Sequence, residues 1–293
     1  MSKTTRKFGI LVGVDGSAES DAAIRWATNE AIMRDQHITL MHAVAPVVVS
    51  WPVAYLQAAF TESQAANARE VIEQAQKTVH ASAGEARPPV VRTEVRHEGA
   101  GTALVGASRD AYMTVVGSRG LGALGRTLLG SVSSGLVHYA HGPVAIIHTD
   151  DARTPADTSP VLLGIDGSPA SEEATALAFD EASRRGVDLV ALHAWSDVGV
   201  YLDLALDWSQ FEDEGHEVLG ERLAGWQEQY PDVRVQRRIV CNRPAHWLIE
   251  ESQQAQLVVV GSHGRGGFTG MLGSVGSAVA QAAKVPVIVV RPR

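Results

Sequence analysis

Two glycine-rich segments carry the residue types that could hold an anion. One runs from Val115 to Ser133 and the other from Val259 to Gly276; in both, an apolar run ends in Gly-Ser before the chain returns to Leu-Gly-Ser-Val. Glycine lets the backbone approach a ligand closely, and the free N–H groups at a helix start attract negative charge. A strand that delivers such a loop to a helix start is typical of phosphate binding. The two segments therefore predict two phosphate sites.

The glycines of the first segment are expected to shape its loop. Gly117 and Gly120 permit positive φ and a close backbone approach, and Gly130 precedes the helix start. A flexible loop without a ligand is the plain alternative, and it would be favoured if only one such loop existed. The near-copy at 259–276 favours phosphate binding instead.

Side chains of the same segment are predicted to add to the anion site. The hydroxyls of Ser131 and Ser133 are candidates for phosphate oxygens, and Arg119 or Arg126 would supply positive charge.

Asp15 and Asp166 each follow an apolar run and precede Gly-Ser. A carboxylate at a strand end could accept hydrogen bonds from ribose hydroxyls or a base amine, or share a metal ion with phosphates. An aspartate before glycine is equally typical of a turn. The residues alone leave both interpretations open.

Two other nucleotide motifs fail on context. Gly120, Gly122 and Gly125 spell G-x-G-x-x-G, but they follow the fourth predicted strand rather than the first, and no acidic residue stands about 20 residues further on at a second strand end. The sequence G-x-x-x-x-G-K-[ST] does not occur, which excludes a Walker-type NTPase.

Histidines offer weaker candidates. His138 and His141 have the spacing of a metal pair, but a third ligand is not nearby, so a helix-end position is favoured. His42 and His193 recur before alanine at predicted strand ends, and a structural role is favoured over a place in the site.

The elements that must position these residues alternate between strand and helix. This order, with connections long enough for crossovers, predicts an α/β fold with a parallel sheet and helices on both faces. Ligands bind such sheets beyond the carboxyl ends of the strands, so the loops after Asp15 and Gly117 are predicted to be neighbours. The predicted strands of the first copy are Phe8–Val14, Ile38–Val44, Val90–Arg96, Met113–Val116 and Val144–Ile147. Its predicted helices are Ala18–Arg34, about Ala58–Ala81, Thr102–Ser108 and Ser131–His138, with an irregular stretch from Pro46 to Tyr55.

The chain repeats itself. Leu11–Ser17 recurs as Leu162–Ser168, and Pro143–Ile147 recurs as Pro286–Val290, in the same order. We expect two domains, residues 1–150 and 160–293, joined by a polar linker over 151–159. The predicted strands of the second copy are Val161–Ile165, Val187–Leu192, Val233–Val240, Leu257–Val260 and Val287–Val290.

Composition bounds the partners. The chain has 293 residues, a formal net charge of -8 and a single cysteine, Cys241. The charge argues against nucleic acid, the lone cysteine excludes an intramolecular disulfide, and a run of ~18 apolar residues is missing. We expect a cytoplasmic protein without a membrane span.

At the glycine loops the chain resembles the universal stress protein family, and specifically its tandem-domain mycobacterial members. The family signature G-x2-G-x9-G-[ST] is met in full by Gly117, Gly120, Gly130 and Ser131. The resemblance implies two tandem Rossmann-like (adenine-nucleotide alpha hydrolase-like) domains, each with a five-stranded parallel sheet, and ATP, with Mg2+, bound in both. The contacts expected in the first domain are Gly13, Asp15, Val44, Gly117, Ser118, Arg119, Gly120, Gly122, Arg126, Gly130, Ser131, Val132 and Ser133. Those expected in the second are Gly164, Asp166, Trp195, Gly261, Ser262, His263, Gly264, Arg265, Gly266, Gly267, Gly273, Ser274, Val275 and Gly276.

One departure separates the two loops. Eight residues lie between Gly264 and Gly273, whereas the signature has nine. We therefore predict that the first site is the stronger and that Gly117→Ala lowers ATP affinity more than Gly261→Ala.

The resemblance implies an ATP-binding regulatory or sensor protein of stress and growth control, with slow hydrolysis at most, an unidentified protein partner and a homodimeric assembly. Two alternatives stay open: a slow ATPase or phosphotransfer enzyme that uses the same site, and a ligand-free scaffold.

Overall fold

The computed structural model describes residues 6–46, 54–121, 129–149, 158–195, 208–263 and 273–291. The chain divides into two compact units, Met1–Thr149 and Asp150–Arg293. Each is described by itself below. No helix in the described ranges has the length and apolar character needed to cross a membrane.

Unit 1 is an α/β sandwich built on a parallel sheet. Its elements in chain order are β1 (Gly9–Gly13), α1 (Ala18–Arg34), β2 (Ile38–Ala43), α2 (Ala54–Ser82), β3 (Val91–Arg96), α3 (Ala100–Ser108), β4 (Ala111–Gly117), α4 (Ser131–Tyr139) and β5 (Val144–Ile147). The strand order is β3-β2-β1-β4-β5, and every neighbouring pair is parallel. Helix α1 packs on α2, and α3 packs on α4. Right-handed crossovers place these two helix pairs on opposite faces of the sheet.

Unit 2 repeats this architecture. Its elements are β6 (Val161–Gly164), α5 (Pro169–Arg185), β7 (Leu189–Ala194), α6 (Trp208–Gln229), β8 (Val235–Val240), α7 (Pro244–Glu251), a 3-10 turn (Ser252–Gln254), β9 (Leu257–Gly261), α8 (Ser274–Ala282) and β10 (Val287–Val290). The strand order is β10-β9-β6-β7-β8, again with parallel neighbours.

The central strands are apolar because helices cover both of their faces. Ile10, Leu11 and Val12 of β1 are fully buried, as are Val258 and Val259 of β9. Such continuous apolar runs are typical of parallel sheets.

Local signals fix the first helix of each unit. The Ser17 hydroxyl accepts a hydrogen bond from the Ser20 N–H, and Ser168 does the same for Ser171. The prediction of Ala18–Arg34 as a helix is confirmed.

Several predicted boundaries are wrong by a few residues, and two of these differences have a local explanation. Helix α2 begins at Ala54, inside the stretch predicted to be irregular, because no proline after Pro52 interrupts it. Strand β7 begins at Leu189 rather than Val187, because the Val187 N–H still caps α5 by donating to the Ala182 carbonyl.

The sheet brings the two chemistry-bearing loops of unit 1 together. β1 pairs with β4, so the chain leaves both strands at one edge of the sheet. The Leu121 N–H donates to Asp15 Oδ2 at 3.2 Å, which confirms the predicted contact between these loops.

Candidate functional site

The aspartate after the first strand organises a turn in both units. Asp15 Oδ1 accepts from the Ser17 N–H at 3.0 Å and from the Ser17 hydroxyl at 2.6 Å. Asp166 Oδ1 accepts from the Ser168 N–H at 2.9 Å. The turn interpretation is therefore confirmed, and the ligand role of Asp15 and Asp166 stays a prediction.

Gly117 and Gly261 are required by helix packing. A Cβ atom on Gly117 would lie 2.8 Å from the carbonyl carbon of Glu19, and one on Gly261 would lie 2.9 Å from that of Ala170. Neither glycine has a positive φ, and Gly120 has none either, so the expected left-handed conformation is wrong. The strand ends instead press against the first turn of α1 and α5, where a side chain has no room.

Gly120 is required for a different reason. A Cβ atom there would collide with the Asp15 carboxylate, which sits directly beside it. The glycine therefore lets the loop close over the turn after β1.

Helices α4 and α8 begin without side-chain caps. Their N-cap residues, Gly130 and Gly273, are extended, with φ of -62° and -65°, and neither helix shows a side-chain cap hydrogen bond. The first intrahelical bonds are made by the N–H groups of Ser134 and Ser277. The N–H groups before them are therefore available to an anion.

Gly130 has no packing reason of its own. A Cβ atom there would lie 3.4 Å or more from its nearest neighbours, which is ordinary contact. Its φ also suits any residue. Since no described residue excludes a side chain at Gly130, its absence fits a ligand that approaches this backbone.

Two side chains predicted as phosphate ligands in unit 1 have protein partners. The buried Ser133 hydroxyl lies 2.9 Å from the Ser118 carbonyl and 3.0 Å from the Gly130 carbonyl, and can donate to either. The Arg119 guanidinium lies 3.4 Å from Glu19 Oε1. Ser133 thus ties the loop to its helix, and Arg119 ties it to α1.

A cavity of about 380 Å³ opens at the corresponding edge of unit 2. It is lined by Gly164, Ile165, Asp166, Ser171, Leu192, His193, Ala194, Trp195, Pro244, Leu248, Val260, Gly261, His263, Gly273, Ser274, Val275 and Gly276. Nine of the residues predicted for the second site are in this lining: Gly164, Asp166, Trp195, Gly261, His263, Gly273, Ser274, Val275 and Gly276. Ser262 is fully buried behind the wall.

The cavity has an apolar wall and a polar wall. Ile165, Leu192 and Leu248 form apolar surface, and Trp195 stands at the rim with 40 % of its surface exposed. The polar lining consists of the side chains of Asp166, Ser171, His193 and His263 together with the uncapped start of α8. Such a division suits a ligand with a flat apolar part and an anionic part.

His263 is the polar side chain of this wall with an unused ring atom. Its Nδ1 lies 2.7 Å from the Ser262 hydroxyl, while its buried Nε2 has no hydrogen-bond partner among the described residues. Burial, and then the charge of Arg291, lower the pKa of His263 below its usual value. The imidazole is therefore neutral at pH 7.

His42 and His193 are structural. Each is buried, and its Nδ1 pairs with the carbonyl that follows the first strand, Val14 at 2.8 Å and Ile165 at 2.7 Å. His193 also contributes to the cavity wall.

Several lining residues were missed by the sequence interpretation, among them Ile165, Leu192, Pro244 and Leu248. Ile165 and Leu192 lie at the carboxyl ends of predicted strands, where ligands bind parallel sheets, so the sequence could have identified them. The other two could not be identified in this way, because only the packing of α7 on the sheet brings Leu248 to within 3.0 Å of a Cβ position on Gly164. The same packing puts Leu104 beside Gly13 in unit 1.

The rest of the predicted set is distributed as follows. Val44 follows β2 and its N–H donates to the Arg96 carbonyl. Ser131 is exposed and Val132 half-buried in the first turn of α4. Six predicted residues lie outside the described ranges: Gly122, Arg126, Gly264, Arg265, Gly266 and Gly267.

Both units are similar in sequence to a known protein family. The universal stress protein family profile matches residues 9–148 and again residues 158–291. The chain belongs to the universal stress protein family. A universal stress protein of Mycolicibacterium smegmatis is 60 % identical over 294 residues, with 100 % of both chains covered. One of Mycobacterium tuberculosis is 52 % identical over 293 residues, with 99 % of both covered.

Solved structures show the same fold. A universal stress protein from Archaeoglobus fulgidus has a TM-score of 0.71 at 20 % identity and covers 97 % of this chain and 98 % of its own. A putative universal stress protein from Pseudomonas aeruginosa has a TM-score of 0.55 at 15 % identity, covering 97 % and 93 %. The predicted family and the predicted α/β Rossmann-like class are confirmed.

Proposed function

We propose that this universal stress protein binds ATP in each of its units and acts as a nucleotide-responsive regulator. The observation that carries the proposal is the cavity of unit 2, which joins an apolar wall to an uncapped helix start. Its volume of about 380 Å³ lies within the range of about 300–1,000 Å³ that is usual for small-molecule sites.

The adenine base is assigned to the apolar wall. Leu192 and Leu248 present aliphatic surface, and the half-exposed indole of Trp195 at the rim offers a face on which a base can stack. Asp166 borders the same space and can accept hydrogen bonds from the ribose hydroxyls or the base amine.

The phosphates are assigned to the polar wall. The N–H groups of Ser274, Val275 and Gly276 precede the first intrahelical bond of α8, and these three residues line the cavity. The helix dipole adds to their attraction for an anion.

Mg2+ is assigned to the nucleotide rather than to a protein cage. Within the described residues there is no group of three or more His, Cys, Asp or Glu side chains that could hold a metal ion. The magnesium that accompanies ATP would be held chiefly by the phosphates.

Unit 1 supports the same proposal through its backbone. Gly130 begins an uncapped helix as Gly273 does, and Asp15 occupies the place of Asp166. A bound phosphate would explain why a glycine stands at position 130, where the described neighbours allow a side chain.

Regulation is proposed because occupancy would change the surface at the cavity rim. Trp195 borders the cavity with 40 % of its surface exposed, and a base stacked on it would cover part of that surface. A homodimer and a protein partner remain predictions. Sedimentation of the protein with and without ATP tests the first.

The deciding experiment counts nucleotide in the purified protein. We expect extraction and chromatography to yield ATP, and calorimetry of stripped protein to show two molecules of ATP per chain. Protein that carries no nucleotide and binds none would overturn the proposal in favour of a ligand-free scaffold. Steady-state turnover well above the rate of a Gly130→Ala, Gly273→Ala double variant would instead favour an enzyme.

A further inference from the structure

Strand β8 is an edge of the sheet in unit 2. It pairs with β7 and, among the described residues, with no other strand. The carbonyls of Arg234, just before the strand, and of Val240, at its end, accept N–H groups from β7 and the residue after it. Successive residues of a parallel strand turn their backbone groups to opposite sides. The N–H and C=O groups of Val235, Arg237 and Ile239 therefore point away from β7, and no described residue bonds to them.

The same segment carries a concentration of positive charge. The β8 edge, residues 234–243, contains four arginines and no acidic residue, although the whole chain has a net charge of -8. All four arginines are exposed. One of them, Arg238, lies 3.2 Å from Glu251 of α7. The other three, Arg234, Arg237 and Arg243, have no acidic partner within the described part of the chain.

The corresponding edge strand of unit 1, β3, has a different charge pattern. The guanidinium of Arg92 donates to the Lys7 carbonyl at 2.9 Å, and that of Arg96 lies 3.3 Å from Glu94 on the same strand. Charged side chains keep edge strands from pairing with further copies of a protein, and the mixed charges of β3 are sufficient for this. The unpaired positive charge of the β8 edge therefore needs another explanation.

The arginines lie on both sides of the free backbone groups. A Cβ atom on Gly220 of α6 would lie 2.9 Å from Arg237 Nη1, so Arg237 is on the α6 side of the sheet. Arg238 pairs with Glu251 of α7 and is on the opposite side. Since side chains alternate along a strand, Arg234 lies on the same side as Arg238. A strand added to this edge would have positive charge beside both rows of its side chains.

We propose that the β8 edge binds an extended acidic segment of a partner protein, which adds to the sheet as a further strand. The free N–H and C=O groups would supply the hydrogen bonds, and the unpaired arginines would select carboxylates. A nucleic acid is disfavoured, because it has no backbone that pairs with alternating donors and acceptors at the spacing of a strand. A second copy of β8 is also disfavoured, because its arginines would face these ones.

This surface is separate from the proposed nucleotide site. No residue of the β8 edge lines the cavity of unit 2. Binding of a strand here therefore does not depend on binding of ATP, and the two proposals can fail independently.

Fluorescence anisotropy with a labelled peptide tests the proposal in the full chain. The probe is a capped peptide of alternating glutamate and valine, about ten residues long, which exceeds the usual length of a strand. We expect it to bind, with an affinity that falls as salt is added. The Arg234→Glu, Arg237→Glu double variant should bind it at least about tenfold more weakly, because like charges then face each other. Absence of binding to the unaltered protein would overturn the proposal.

The matched control is the Arg25→Glu, Arg69→Glu double variant. It makes the same change in net charge at exposed positions of α1 and α2 in unit 1. Its affinity for the probe should equal that of the unaltered protein. An equal loss in the two double variants would overturn the proposal, because binding would then follow the net charge and not the β8 edge. Tighter binding of a single-stranded oligothymidylate with the same number of charges would overturn the assignment to a peptide.

Two further measurements test whether the peptide adds as a strand. In one, the probe is methylated on alternate backbone nitrogens, in either of the two possible sets. Methylation of the set that faces β8 should abolish binding, and methylation of the other set should preserve it, since a strand donates to one neighbour from every second residue. In the other, hydrogen exchange of the Arg237 N–H in the unaltered protein should slow when the probe is bound. Equal binding of both methylated peptides, or unchanged exchange, would overturn strand addition.

Discussion

Where the structure describes them, the two glycine loops make equivalent backbone hydrogen bonds and differ in their charges. In unit 1 a cation–anion pair, Arg119 with Glu19, fixes the loop to α1. In unit 2 a neutral histidine borders the cavity, and the acidic partner is replaced by Ala170. A duplicated fold can therefore keep the geometry of a phosphate site while its polar contacts diverge.

The exchange extends to the neighbouring strand. The residue after β5 is His148, whereas the residue after β10 is Arg291, so the two units carry one arginine and one histidine at exchanged positions. Unit 2 also lacks the negative charge that Glu19 places near the proposed phosphate site of unit 1. This favours unit 2, although its loop is one residue short, and weakens the expectation that unit 1 is the stronger site.

The largest effect is expected where the two units are the same. Gly117→Ala and Gly261→Ala each force a methyl group against the backbone of the first helix of its unit, α1 or α5, at 2.8 and 2.9 Å from a carbonyl carbon. Both should lower the free energy of unfolding by a similar amount, about 1–3 kcal/mol, as overpacking does. Urea denaturation measures this. A clear loss for one variant only would show that the units do not share this packing.

Gly130→Ala should separate ligand binding from stability. The added methyl group meets only ordinary contacts in the protein, so stability should change by less than about 0.5 kcal/mol. ATP binding at unit 1 should weaken by about tenfold, because the methyl group occupies the approach to the helix start. Calorimetry and urea denaturation of the same sample test both statements.

Gly135→Ala is the control for that experiment. It lies in the same helix with open space around its Cβ position and should leave ATP affinity unchanged. Full ATP affinity in Gly130→Ala would argue against a phosphate at that helix start.

Trp195→Val makes the rim of unit 2 resemble that of unit 1, where Val44 holds the corresponding position. Stacking of a base on an aromatic ring is worth about 1–3 kcal/mol, so affinity at one site should fall by about fivefold or more. The loss should be equal for ATP and adenosine, since the base is involved and the phosphates are not. Calorimetry with both ligands tests this, and a loss confined to ATP would contradict stacking of the base on Trp195.

The smallest effect is a dependence of stability on pH. Burial lowers the pKa of His37 in unit 1, and the charge of Arg92 lowers it further. A hydrogen bond to the Lys7 carbonyl raises the pKa and offsets part of this shift. Burial and Arg291 lower the pKa of His263 in unit 2. An unfolded histidine has a pKa of about 6.5. Below that pH the unfolded chain binds more protons than the folded chain, so the free energy of unfolding decreases as the pH is lowered. Above ~6.5 this contribution is fully present.

His37→Gln and His263→Gln should each reduce the loss of stability between neutral and mildly acidic pH. Urea midpoints at the two pH values, compared with those of the unaltered protein, measure the reduction. An unchanged pH dependence in both variants would contradict the lowered pKa values.

The contact between the two loops of unit 1 was easier to predict than the reasons for the residues in them. The contact between the Asp15 turn and the loop after Gly117 was predictable, because parallel strands bring their carboxyl ends to one edge. The reason for Gly117 was not predictable, because the sequence does not distinguish a glycine required by a ligand from a glycine required by the packing of a helix. Ser133 and Arg119 were assigned to phosphate by residue type, and their partners in the fold are a carbonyl and a carboxylate.

By itself the sequence determined the duplication, the parallel α/β units, the helix caps and the family, because these follow from local patterns that repeat along the chain. The tertiary structure decided how the site is walled. Leu248 and Pro244 line the cavity because α7 packs on the sheet. Glu19 in α1 forms an ion pair with Arg119, which follows β4 much later in the chain. The environment of His263 depends likewise on Ser262, Arg291 and the start of α8. Contacts between residues far apart in the chain depend on how the elements pack, and this packing produces no repeating pattern in the sequence.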